Sequence, residues 1–109
     1  MFNVVTAPTF TRDVPVSVPS GDGYVEQSFQ ATFKVLSDEE RDARDLSVTE
    51  NVKAYLREII LHLDDLTDDE RQPVPYSPEI LEQILGFGYV RIALLSTYTK
   101  AQIKAVTGN

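Results

Sequence analysis

The densest grouping of residues able to do chemistry is Asp64, Asp65, Asp68, Asp69 and Glu70, with the single histidine, His62, just ahead of it. Carboxylates at this density could ligate a hard cation. A calcium loop of the EF-hand kind, however, spaces its oxygen ligands at alternate positions around a central Gly and closes on a distal Glu. Here Leu66 takes the third position of a register starting at Asp64, and no Gly follows. The stretch therefore reads as a solvated loop or as helix-terminal charge. His62 beside Asp64 and Asp65 has the composition of a base with an orienting carboxylate, but one His next to surface acids reads first as an ordinary helix residue. Ser96, Thr97 and Thr99 have no second His to activate a nucleophile. Paired carboxylates can do glycosidic acid–base work, yet a chain of 109 residues leaves little room for a hydrolytic cleft. Gly86-Phe87-Gly88 follows no strand and precedes no Lys-Ser/Thr, so it reads as a helix–helix joint and not a phosphate loop. With no Cys, thiolate catalysis, disulfides and Cys-ligated zinc drop out. No catalytic residue, metal site or cofactor is expected.

The elements that would hold such residues are easier to read. Val52, Tyr55, Leu56, Ile59, Ile60 and Leu63 recur at i, i+3, i+4, i+7, i+8 and i+11, which predicts one amphipathic helix over 52–63. Upstream the period is two. Phe10, Val14, Val16 and Val18 share one face, and Val25, Phe29, Ala31, Phe33 and Val35 share another. Between them Pro19-Ser20-Gly21-Asp22-Gly23 is a turn, so residues 9–36 predict a β-hairpin with Pro15 marking an edge strand. A lone hairpin leaves both edges open, so it must pack on helices and is also free to pair with strands of other copies.

Ser37-Asp38-Glu39-Glu40 has capping-box spacing and predicts a short charged helix to about Leu46; Ser47-Val48-Thr49-Glu50 repeats the spacing. Ser77 followed by Pro78 starts a helix whose buried side is Ile80, Leu81, Ile84 and Leu85, and Gly86 ends it. The last helix, from Gly88, is apolar around most of its circumference, so it is central to the core or covered by another subunit. Tyr55, Tyr76, Tyr89 and Tyr98 could form an interface set, although aromatic residues at helical spacing are more often core. The expected fold is α+β: an N-terminal β-hairpin packed on a bundle of about four α-helices. Residues 1–109 form one domain, with 1–8 a flexible arm or an added strand, 9–36 the hairpin and 37–109 the helical part.

The formal charge is −7 and the ten basic residues are scattered, which argues against nucleic acid or an anionic membrane as partner. No stretch approaches 18 apolar residues, and the first residues lack the basic and apolar regions of a signal peptide, so an intracellular soluble chain is expected.

Two segments resemble the tail assembly chaperones of long-tailed phages and prophages. One is the hairpin, Phe10-Thr-Arg-Asp-Val-Pro-Val-Ser-Val-Pro19 followed by Gln27-Ser-Phe-Gln-Ala-Thr-Phe-Lys-Val-Leu36. The other is Leu56 through Tyr98, with an apolar helix, the acidic loop, "PVPYSPEILEQIL" and "YVRIALLSTY" in that order. The resemblance implies a non-enzymatic protein that self-associates, coats and solubilises the tape measure protein, and helps recruit tail tube subunits. It implies the host bacterial cytoplasm as its location and absence from the mature virion. Leu94, Leu95 and Tyr98 are the residues expected to touch the partner, and Val14, Val16 and Val18 mark the expected self-association edge. The alternative is a structural tail-completion or head–tail joining protein that stays in the particle. A third reading, from another class, is a small acid–base or metal-dependent enzyme using His62 and Asp64–Glu70.

Overall fold

The alternating apolar residues of the N-terminal third have one good use, a sheet with one face against helices. In a computed structural model of the chain, which describes residues 1–4 and 7–103, they form it. Strand β1 (Thr9–Ser20) and strand β2 (Gly23–Lys34) pair antiparallel in continuous register from Thr9↔Lys34 to Ser20↔Gly23. The two-residue turn has Gly21 at φ 59°, and Asp22 keeps a negative φ. That is the type II′ arrangement, whose twist suits a hairpin and whose first central position favours Gly. Val14, Val16, Ala31 and Phe33 point inward and are buried. Thr11 and Thr32, Asp13 and Gln30, and Ser17 and Glu26 are hydrogen-bonded in pairs across the outward face. The hairpin tip lies beyond helix cover, so Val25, expected on the buried face, is 48% exposed beside Tyr24 at 73%.

Ser37 caps helix α1 (Asp38–Asp42) with a full capping box, Glu40 reaching back to the Ser37 amide. The helix stops at Asp42, short of the expected Leu46. Helix α2 (Thr49–Ile59) starts at Val48 with no side-chain cap. The second capping box does not form, because the Ser47 hydroxyl donates to Asp45 at 2.6 Å instead.

The main correction concerns residues 60–63. The predicted helix ends at Ile59, and Ile60–Asp64 form a third strand, β3, antiparallel to β2. The sheet order is β1-β2-β3. Ile60 pairs with Phe33 and His62 with Thr32, so Leu61 is one residue too many and bulges out of the ladder. That extra residue lets both Ile60 and Leu63 face the core, at 4% and 1% exposure. A bulged strand thus gives the same three-residue spacing as a helical face.

Beyond β3, the acidic loop folds on itself through a Thr67↔Pro73 bridge. Helix α3 (Pro78–Leu85) is capped by the Ser77 hydroxyl, and Pro78 occupies its first turn as expected. Gly86 ends it in a right-handed conformation. Helix α4 (Gly88–Ala101) then leaves at 105° to α3, a corner held by Arg91 Nη1 donating to the Leu85 carbonyl at 2.8 Å. The fold is therefore α+β, with three antiparallel strands and four helices among the described residues, not a hairpin alone on helices. Helix α4 lies against β1 and touches α2 and α3. Its Tyr98 closes an aromatic group with Phe10, Phe33 and Tyr55, with ring centroids 5.3–6.1 Å apart. Val5 and Thr6 of the expected arm, and positions 104–109 of the expected helical part, lie outside the described residues.

Candidate binding site

The structure scatters the acidic candidates. Asp64 is the last residue of β3 and its Oδ1 accepts from the Asp65 amide. Asp68 Oδ1 accepts from the amides of Glu70 and Gln72, so this carboxylate fastens the loop to itself. Among the described residues no three acidic or histidine side chains converge as a metal would require. His62 is an exposed strand residue, not a helix residue, and its ring meets Tyr76 edge-on at 5.2 Å. Ser96, Thr97 and Thr99 lie along α4, away from His62 on β3.

The residues expected to touch a partner also change meaning. Leu94 is fully buried and Tyr98 is 3% exposed, so both are core of this chain, and Leu95 is half-buried against them. A partner could reach Leu94 or Tyr98 only after the fold opened. On β1, Val14 and Val16 are core side chains and Val18 is half-buried. What β1 offers at the sheet edge is backbone.

Which backbone groups face out follows from proline. Pro15 sits in the ladder opposite Ser28 and has no N–H, so its amide side faces away from β2. Antiparallel pairs alternate, so Thr9, Thr11, Asp13, Ser17 and Pro19 also turn their backbone outward, and the even residues face β2. The Pro8 carbonyl accepting from Val35 N–H at 3.1 Å agrees with that parity. Two devices blunt this edge. Pro15 and Pro19 remove donors, and the Arg12 guanidinium donates to the Thr11 carbonyl at 2.9 Å while lying over the Phe10 ring. The stretch from Asp13 to Ser17 keeps its outward carbonyls, together with the amides of Asp13 and Ser17.

Alongside that stretch runs a groove of about 690 Å³. Pro15 and Ser17 of β1 face Tyr89, Ile92, Ala93 and Ser96 of α4 across it. Ile92 is 70% exposed, the most open apolar residue of α4. The wheel explains it: Val90, Leu94 and Tyr98 form the buried stripe, and Ile92 follows Val90 by two residues, about 200° around. The polar side chains of the groove balance, with Arg12 and Lys100 against Asp13 and Glu26. An open strand edge beside an apolar helix is the geometry that receives an extended segment, the backbone giving affinity and the helix giving selectivity. Sequence reasoning missed Ile92; its available signal was an apolar residue off the buried stripe of α4.

No protein-family model, curated protein or solved structure matches this chain.

Proposed function

We propose that this chain is a binding protein and not an enzyme, an assembly chaperone of the kind its sequence resembles. In that role it self-associates, holds the long tape measure protein soluble, helps recruit tail tube subunits, and works in the host cytoplasm without remaining in the virion. The single observation that carries a binding role is the groove, where the Asp13–Ser17 edge, unpaired among the described residues, lies beside exposed Ile92. The identity of the partner rests on the resemblance of the hairpin and of Leu56–Tyr98. Exposed Ile92, with half-buried Tyr89 and Ala93 beside it in the groove, replaces the buried Leu94 and Tyr98 as the contact surface.

The test is co-expression with a tape measure protein, then size-exclusion chromatography with light scattering. Several copies of this chain per long chain, with the partner held in solution, support the reading. Separate elution of the two, with this chain recovered from purified particles, would replace it with the structural tail-protein reading.

A further inference from the structure

We propose that the lane beside β2 left empty where β3 stops receives an extended segment of another protein, one that alternates apolar and basic side chains and pairs with the backbone of Glu26 and Ser28.

The lane follows from the unequal lengths of the strands. β2 has 12 residues and pairs with β1 along all of them, but β3 covers only Gln30 to Phe33. After Asp64, opposite Gln30, the chain turns out of the sheet at Asp65, whose φ is 60°. Ser28 stands opposite Pro15 and Glu26 opposite Ser17, the β1 residues whose backbone faces away from β2. In an antiparallel ladder both members of such a pair face away from each other, so Ser28 and Glu26 turn their amides and carbonyls into the lane. Neither backbone has a partner among the described residues. This edge is on the opposite side of the hairpin from the Asp13–Ser17 edge.

Side chains set what the segment must carry. A cavity of about 200 Å³ lies between Gln27–Phe29 of β2 and Asp65–Thr67, and half-buried Val18, Phe29, Leu66 and Ile84 line it. A strand in the lane would place every second side chain on that apolar lining. Its other side chains would lie on the solvent face of the sheet, where Glu26 and Asp64 are exposed on either side of the lane. Neither carboxylate has an ion pair among the described residues, and no Lys or Arg lines the cavity. Lys or Arg at those alternate positions would supply the missing opposite charge. A second copy fits worse. Its own strands carry Asp13 and Glu26 on the solvent face, which would set acid against acid.

The inference does not rest on the functional reading, and its test uses the full chain with a synthetic probe. Fluorescence anisotropy with the labelled peptide Lys-Val-Lys-Ile-Lys-Val-Lys should show saturable one-to-one binding that weakens as salt rises. A peptide of the same composition with all its lysines in one block should bind more weakly. Two variants should lose affinity. Ser28→Pro removes a lane-facing amide and leaves the ladder to β1 intact, as Pro15 does on the other side. The double variant Glu26→Gln and Asp64→Asn keeps shape and hydrogen bonding while removing both charges, and should weaken binding roughly three- to tenfold. Ile92→Asp, in the other groove, should keep the wild-type affinity, so loss of the tape measure partner and loss of this peptide are separable. Equal binding of the block peptide, or an unchanged affinity in the charge variant, overturns the proposal. Absence of saturable binding to the wild-type chain overturns it too. Concentration-dependent self-association that Ser28→Pro abolishes would give the lane to a second copy and overturn it as well.

Discussion

The Tyr98 hydroxyl donates to the Lys34 carbonyl at 3.1 Å, tying the last turns of α4 to the end of β2. The same oxygen accepts from the Leu36 amide at 3.0 Å, so one phenol satisfies two backbone groups where β2 leaves the sheet. Removing only that oxygen strands a buried N–H and costs about 1–3 kcal/mol. Tyr98→Phe should therefore lower the urea midpoint with no change in slope, since the surface exposed on unfolding is unchanged. A midpoint equal to wild type would mean that water replaces the phenol.

Tyr55 meets the Tyr98 ring edge-on, and burial, helped by Tyr98, pushes its phenol up to about 12. A group whose folded value is raised adds stability below its unfolded value near 10, and loses it as pH rises through about 12. Urea midpoints should thus fall across that alkaline window, and Tyr55→Phe should flatten the fall. An equal fall in both proteins would assign it to other groups.

Arg57 on α2 and Glu82 on α3 form a two-pronged pair, at 2.6 and 2.7 Å. The Arg57 hydrogen bonds hold the Glu82 carboxyl below its usual 4.5, so its contribution is present above that value and is lost as pH falls below it. The pair is solvent-exposed, so its effect is small and screened by salt. Glu82→Gln should remove part of the acid-side loss of stability at low ionic strength, and the difference from wild type should shrink in high salt. A difference that salt leaves unchanged would point to packing instead.

The hairpin was legible because period-two alternation and a Gly-containing turn have few other solutions. The Ser37 and Ser77 caps were legible for the same reason, a polar side chain placed where an unpaired amide needs it. β3 was not. Ile60 and Leu63 keep helical spacing because Leu61 bulges, and periodicity alone does not separate the two origins. Ile59-Ile60, a β-branched pair at the junction, was the available hint. The groove was less legible still. Its two sides come from β1 and α4, far apart in sequence, and half of it is backbone whose outward parity follows from Pro15. An apolar run in α4 marks a helix that touches much, without saying which residue touches what.

Ile92 and Leu94 separate those two roles on the same helix. Leu94 is fully buried, so Leu94→Ala removes packing and leaves a cavity, at a cost of about 2–5 kcal/mol. Ile92 is 70% exposed, and an exposed position of this kind tolerates change within about 0.5 kcal/mol. Ile92→Asp should therefore keep the wild-type urea midpoint and still lose the co-purified partner, because it places a charge where an apolar segment would lie. Leu94→Ala should show the converse, a lowered midpoint with partner binding retained under conditions where the fold persists. Co-purification that survives Ile92→Asp and fails in folded Leu94→Ala would move the contact surface off the groove and back to the side of α4 that faces the core.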